Sequence, residues 1–322
     1  MFIKPNERDL LSLFGLVYPF IYILIVASLP LFFQRHKSIF FTLLFLSVCG
    51  IGSFSSYAKP SFAGQHKADD VTIMSFNAMM GFMLHEQPKA ANGLSANDML
   101  KSPEPDIIAI QEGNNRVISF FEKTLGYRYI HHLPKRGAMI ISKFPIIQKG
   151  QVDFGPKLNS CLWADIRINK DTVRVYSFHL ESNRLKPASY DFLAKEQYGS
   201  LDAINGLRDF ATKYPTYARV RANQSIKMKK HINESPYPVI VCGDLNDPPV
   251  SFTYKTLKKG LVDTFKKTGG GFGTTWSGAI PMLRIDYIFA SKNLKNTSYS
   301  CVESDFSDHY PVKASFNFKQ EE

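Results

Sequence analysis

The segment Val239–Pro249, VIVCGDLNDPP, runs four apolar residues into a glycine and then crowds Asp244, Asn246 and Asp247 where the run stops. Asp, Asn, Gly and Pro favour turns, and a turn accounts for this segment taken alone. The pattern recurs, however. Asn77 follows IMSF, Glu112 follows IIAIQ, His179 and Glu181 follow VYSF, Asp286 sits within RIDYIF, and Asp308 and His309 stand in SDHYPV before a last apolar segment. Carboxylates and imidazoles gathered at apolar strand ends are costly to bury unless they pair or bind a metal. The carboxyl ends of core strands are also where α/β folds build sites.

The residue types narrow the chemistry. Oxygen ligands without cysteine thiolates suit a hard cation, Mg²⁺ or alternatively Mn²⁺. Mg²⁺ takes one or two carboxylates and leaves its other positions to water and substrate phosphate. The histidines and remaining carboxylates are then available for proton transfer and charge stabilisation, an inventory suited to phosphate-ester hydrolysis. The chain has no GxxxxGK[ST], which disfavours ATP-driven transfer, and no GxSxG, which disfavours a serine hydrolase. GGGFG at Gly269–Gly273 reads as a loop, since no strand leads into it and no helix follows.

These residues need a framework. VTIMSF (Val71–Phe76), DIIAIQE (Asp106–Glu112), AMIIS (Ala138–Ser142), LWADIRI (Leu162–Ile168), TVRVYSFHL (Thr172–Leu180), PVIVCGD (Pro238–Asp244) and RIDYIFA (Arg284–Ala290) read as strands. Helical stretches are expected over Val117–Leu125, Asp191–Ala211, Tyr217–Ile232 and Phe252–Lys258. On the Tyr217–Ile232 helix, Arg219, Arg221, Lys227, Lys229 and Lys230 spread around the axis, as on a solvated surface rather than a binding face. Asp247 is assigned to turn chemistry. The net charge of +11 and pI of about 9.3 suit an anionic partner, or equally a solubilising surface. Cys49 and Cys242 lie in apolar runs and read as small core hydrophobes; for Cys161 and Cys301 a disulfide in an exported domain and free thiols both stand.

The N-terminus has a different texture. Leu10–Phe33 carries no charge and is long enough to cross a bilayer, and after QRHK the run Ile39–Tyr57 is apolar again. A transmembrane helical hairpin is expected, about 10–33 and 39–57, within a membrane region 1–58; a linker 59–68 and a catalytic domain 69–322 follow. A cleaved signal peptide fits less well, because the first run is too long and a second follows. Arg35 and Lys37 in the tight loop place that loop in the cytoplasm and the domain on the outer side of a bacterial inner membrane, periplasmic or extracellular, although Lys4, Arg8 and Lys59 pull the other way. A further helix upstream of Met1 is expected on the same grounds.

In order, SFN, IQE, FHLES, GDLND, RIDYIF and SDHYPV resemble the endonuclease/exonuclease/phosphatase superfamily over about Val71 to Phe318. The apolar N-terminus also resembles that of its membrane-anchored bacterial members. The resemblance implies an α/β (α+β) four-layer sandwich, two packed β-sheets flanked by helices, here behind the transmembrane hairpin. It implies a metal-dependent hydrolase of phosphate esters, with Glu112 as principal metal ligand, Asn77 beside metal and phosphate, and Asp308 as a second metal-side carboxylate. By the same resemblance Asp244 orients the attacking water, Asn246 holds phosphate, and His179 stabilises the transition state. His309 contacts a phosphate oxygen or acts as acid/base, and Asp286 orients it. Met79 stands where some nucleases carry a further ligating aspartate, so one well-held Mg²⁺ is expected and a second ion is left open.

Arg184 and Trp276 are candidate substrate contacts, each with a structural alternative: an ion-paired turn for Arg184, packing for Trp276. His85, His131, His132 and His231 match no motif. The expected substrate is nucleic acid, a phospholipid headgroup or a phosphorylated small molecule, and the lipid bilayer is engaged through the helices; no protein partner is inferred. A nuclease-like phosphodiesterase, a phospholipid or sugar-phosphate hydrolase at the membrane surface, and a catalytically silent binding module are the competing functions.

Overall fold

The computed structural model describes residues 4–5, 10–60, 64–81, 100, 103–133, 137–155, 159–183, 201–278, 280–304 and 306–318. A 3₁₀ turn at Leu10–Leu13 leads into helix α1 (Phe14–Phe32), and a tight turn leads into α2 (Lys37–Phe54). Both are long and apolar enough to cross a membrane. Only 22% and 6% of their apolar windows are buried, so neither is a core helix of the domain.

Helices α3 (Asn115–Leu125), α4 (Leu201–Asn233), α5 (Phe252–Lys258) and α6 (Thr264–Thr268) follow. The strands are β1 (Ala58–Lys59), β2 (Val71–Asn77), β3 (Ile107–Gln111), β4 (Tyr129–His132), β5 (Met139–Ser142), β6 (Ile146–Val152) and β7 (Ser160–Ile168). They continue with β8 (Asp171–His179), β9 (Val239–Asp244), β10 (Leu261–Asp263), β11 (Gly271–Phe272), β12 (Asp286–Ser291), β13 (Lys295–Cys301) and β14 (Val312–Asn317). One six-stranded sheet runs β10-β12-β9-β8-β7-β6 and the other β13-β14-β2-β3-β5-β4. In each, one central pair is parallel, β8 with β9 and β2 with β3.

Side chains alternate across a strand, and that alternation sorts the apolar residues into layers. Val71, Ile73, Ile107, Ala109, Val173, Val175, Ile240, Cys242, Ile288 and Ala290 meet in one cluster between the sheets. Their neighbours Met74, Phe76, Ile108 and Ile110 face outward and pack with Val117 and Phe121 of α3. On the far side Tyr176, Phe178, Val239, Val241, Tyr287 and Phe289 pack with Met228 and Ile232 of α4 and with Leu257 of α5. The result is the expected four layers, helix, sheet, sheet, helix.

Two expectations are corrected. The helix divided near Pro215 is one helix where described, Leu201–Asn233, with Pro215 inside it; positions 184–200 lie outside the described residues. A proline removes one helical hydrogen bond, but here its neighbours are anchored: Tyr214 Oη donates to Asp247 Oδ1 at 2.9 Å, and Arg221 Nη2 lies 2.7 Å from the same oxygen. Arg221 is therefore not on a solvated surface; it is wholly buried, and Asp247 is its buried counter-ion as well as part of a turn.

The segment behind the hairpin is held against the domain. Ala58–Lys59 pairs with Gly271–Phe272, and the Gly64 N–H donates to Thr268 O at 3.1 Å. All four cysteines are free thiols; Cys242 is buried in the core as expected, whereas Cys49 is exposed on α2, because that helix turns its apolar surface outward rather than into the domain.

Candidate active site

The alternation that builds the inner core also aims the polar strand ends. Asn77 continues the inward parity of Val71 and Ile73, and Gln111 that of Ile107 and Ala109. His179 continues Val173 and Val175, Asp244 continues Ile240 and Cys242, and Asp286 precedes Ile288 and Ala290. Register completes the alignment, since Asp244 is the Cα partner of His179 on one side and of Asp286 on the other. Polar side chains from both sheets thus meet at one edge of the space between them. Gly243 is the Cα partner of Phe178 across β8 and β9; with φ of 151°, a Cβ there would stand 2.0 Å from Phe178 O, so only glycine fits before Asp244.

Asp244 is the hub. Its Oδ1 accepts the Asn246 backbone N–H at 2.7 Å, and its Oδ2 accepts amide Nδ2 protons of Asn246 at 3.0 Å and Asn77 at 3.3 Å. The Asn77 amide also donates to Glu112 Oε1 at 3.3 Å, tying the two carboxylates together. His179 Nε2 faces both, 3.6 Å from Asp244 Oδ2 and 3.7 Å from Glu112 Oε1. His309 Nδ1 lies 2.9 Å from Asp286 Oδ2, and its Nε2 points towards Asp244 Oδ2 at 3.9 Å. Glu112 and Asn246 both adopt left-handed backbone, φ 50° and 54°, as do Met79 and Met80 beside them. Such conformations cost about 1 kcal/mol or more for non-glycine residues and collect where a site over-determines the backbone.

Electrostatics divide the carboxylates from the imidazole. Burial, with the neighbouring Asp286 carboxylate, pushes the Asp244 carboxyl up to about 6, against the pull of His309 and His179. Burial acts against charge on His309 too, but Asp286 and Asp244 outweigh it and raise the imidazole to about 10. Near neutral pH His309 is a cation aimed past Asp244, and Asp244 sits close to its own titration.

The surrounding groups are held in turn. Ser307 Oγ donates to Asn77 O at 2.8 Å and accepts the His309 N–H at 3.1 Å, and Thr275 Oγ1 accepts the Ile285 and Asp286 N–H groups at 3.0 Å each. Beneath the floor, Ser177 Oγ donates to Ile110 O at 2.8 Å and accepts Gln111 Nε2 at 3.2 Å, which locks the sheets together. None of Thr275, Ser177, Gln111 and Ser307 is among the residues read from motifs. Inward parity would have marked Gln111 and Ser177; Thr275 lies in a loop with no such signal.

Trp276 bridges to His309 through the backbone, and its Nε1 donates to Asp308 Oδ2 at 3.4 Å. A cleft of about 400 Å³ opens above, lined by Glu112, His179, Asp244, Asn246, Asp308, His309 and Trp276. The expected site residues Asn77, Glu112, His179, Asp244, Asn246, Asp286, Asp308, His309 and Trp276 are therefore gathered in or directly beneath one cleft. Arg184 lies outside the described residues. The neighbouring loop is fastened by Arg221, whose Nη1 donates to Glu181 O at 3.0 Å and Asn183 Oδ1 at 2.8 Å.

The donor set fits a hard divalent cation. Glu112, Asp244 and Asp308 bring carboxylates to one cleft, the Asp286 Oδ1 is buried without a hydrogen-bond partner among the described residues, and two imidazoles alone do not balance these charges. Asp244, Asp286 and His309 each offer a ligand atom within 4.8 Å of the other two. In that trio, however, Asp286 engages His309 Nδ1, the arrangement of an oriented imidazole. Glu112, one-third exposed, is the carboxylate that faces the open cleft.

A four-layer sandwich with a carboxylate and imidazole cleft at one edge of its sheets defines a phosphoesterase-type fold. The endonuclease/exonuclease/phosphatase family profile matches residues 74–309, and the chain belongs to that family, hydrolases acting on phosphate ester bonds. Among solved structures the chain is similar to an endonuclease/exonuclease/phosphatase from Bacteroides vulgatus, with TM-score 0.57 and 15% identity over 78% of this chain and 99% of that one. It is also similar to a mannosyl-6-phosphatase from Bacteroides thetaiotaomicron (0.51, 19%, 77% and 100%) and to D. rerio TDP2 complexed with a single-strand DNA product (0.53, 16%, 77% and 99%). At such identities the likeness concerns the fold. No curated protein matches the chain.

Proposed function

We propose that the chain is a Mg²⁺-dependent phosphoesterase that hydrolyses a phosphodiester or phosphomonoester by in-line attack of water. The observation that carries this reading is the convergence of Glu112, Asp244, His179 and the Asp286–His309 pair on one cleft. Glu112, flanked by Asn77 and with Asp308 in the same cleft, holds the cation. Bound there, it supplies Lewis acidity to a phosphoryl oxygen.

The chain's own groups do the rest. Asp244 orients the attacking water and accepts its proton, kept in place by the Asn246 and Asn77 amides. His179 and His309, the latter oriented by Asp286, stabilise charge on the phosphoryl oxygens, and the leaving oxygen takes its proton from water on the side of phosphorus opposite Asp244. Asn246 and Trp276 contact the substrate side of the cleft. The domain from about 69 onwards carries this chemistry and the helices anchor it in a bacterial cell membrane, with the domain outside. A reporter fused after Lys59 that functions only in the cytoplasm would refute that orientation.

The test is hydrolysis of bis(p-nitrophenyl) phosphate and p-nitrophenyl phosphate by the full chain in detergent, with Mg²⁺, with Mn²⁺ and with EDTA. Activity undiminished by chelation removes the metal requirement. Absence of hydrolysis under every condition favours the silent binding module.

A further inference from the structure

The N-terminal turns of α1 reach into the cleft. Leu16 lines it together with Glu112, His179, Asp244 and His309, and packs with Ile280 on the cluster of Trp276, Leu283 and Ile285. This contact is fastened. Gly15 is buried so closely that a Cβ would stand 2.6 Å from Pro248 Cγ and 3.3 Å from Val250 Cγ2. Gly15 O accepts the Tyr57 hydroxyl at 2.7 Å, which binds the start of α1 to the exit of α2. Arg284, two residues before Asp286, donates to Ser56 O at 3.1 Å while its guanidinium is paired with buried Asp263. The hairpin is thus joined to the strand that carries a site residue.

The helix continues the wall away from the cleft. Leu16, Phe20, Ile23 and Leu24 follow at spacings of three and four and so share one face. Phe20 is half-buried, while Ile23 is 42% and Leu24 69% exposed. Val17 flanks this stripe and is exposed as well, and Met79, also exposed, lines the cleft. An uninterrupted apolar track therefore runs from beside the catalytic groups onto the exposed surface of a helix long enough to enter a bilayer.

We propose that α1 forms one wall of the catalytic cleft and that the substrate is a membrane-borne phosphate ester whose apolar chains lie along Leu16 and the track below it. The proposal rests on the phosphoesterase reading and names its substrate class. Oxygen from water forms the new bond to phosphorus, the bond from phosphorus to the leaving alcohol breaks, and that alcohol oxygen takes up a proton. An apolar tail buries surface against Leu16, Phe20 and the Trp276 cluster, whereas a nucleotide or sugar phosphate brings no matching apolar surface to this wall.

The experiment uses the full chain in lipid vesicles with Mg²⁺. The substrates are the dioleoyl and dibutyroyl forms of phosphatidylglycerol, phosphatidylethanolamine and phosphatidic acid, bis(p-nitrophenyl) phosphate, and a single-stranded oligonucleotide. For at least one headgroup, the dioleoyl form is expected to be cleaved about tenfold or more faster than its dibutyroyl form at equal bulk concentration, by the worth of buried apolar area. Leu16→Ser is expected to collapse that ratio through KM, and the exposed α2 variant Val48→Ser to retain it. The wild-type ratio stands even where Leu16→Ser fails to fold. Equal rates on long and short chains for all three headgroups, or faster cleavage of the oligonucleotide, overturn the proposal. If bis(p-nitrophenyl) phosphate is hydrolysed in either case, the phosphoesterase reading survives; if no phosphate ester is cleaved, both fall.

Discussion

His309 Nδ1 and Asp286 Oδ2 lie 2.9 Å apart although they come from different sheets: Asp286 opens β12 in one, and His309 precedes β14 in the other. The pair closes the cleft and couples the assembly of the two sheets to the orientation of an imidazole. Asp286→Asn keeps the shape and removes the charge. The expected result is a loss in kcat of about 10²-fold or more with a smaller change in KM, and a lower His309 titration by NMR.

The same pair sets a pH dependence of stability. The folded value of His309, about 10, lies above its ordinary 6.5, so the stabilisation it brings is complete below about pH 6.5 and is lost as pH rises through about 10. The stability gap between wild type and Asp286→Asn, from urea midpoints, should therefore narrow steadily as pH rises from about 6.5 towards 10.

Asp244 titrates on the opposite limb. With its carboxyl pushed up to about 6, kcat/KM should fall as pH drops below that value, because the base becomes protonated. Asp244→Asn should be slower by about 10²–10³ and lack this acid limb, as measured by a pH–rate profile.

Glu112 faces the open cleft and is joined by the Asn77 amide to Asp244. Glu112→Gln should raise the Mg²⁺ concentration giving half-maximal activity by about tenfold or more, with folding retained by circular dichroism. An unchanged metal requirement would place the cation elsewhere.

Arg221 and Asp247 form a buried ion pair at 2.7 Å. Arg221→Ala leaves the Asp247 carboxylate buried without its partner and releases Glu181 O and Asn183, so a loss of about 3–5 kcal/mol in chemical denaturation is expected. Asp247→Ala should show a comparable loss for the complementary reason.

Much of the frame was legible because buried strands write themselves as apolar runs. The central strands β2, β3, β5, β7, β8, β9 and β12 were all expected. The strands not read in the two six-stranded sheets are their four edges, β10, β6, β13 and β4, and the inner β14, whose residues were read only as a last apolar segment. An edge strand is wetter and shows no such run: β6 is mostly exposed or half-buried, and β13 largely half-buried. The helix near Pro215 was divided for a related reason, since proline is a local signal and the contacts of Tyr214 and Arg221 with Asp247 are not.

Residue order by itself determined the chemistry at the strand ends. Asn77, His179, Asp244 and Asp286 share the parity of inner-core residues on their own strands, so local alternation already aims them between the sheets. Only the tertiary structure decided that Arg221 is buried, that Asp247 is its counter-ion, and that Leu16 stands beside the catalytic groups. Those placements depend on contacts between residues far apart in the chain, such as Gly15 with Pro248 and Tyr214 with Asp247. The periodicity of one strand or helix reports which face is covered, and the identity of the covering group is settled only when the layers pack.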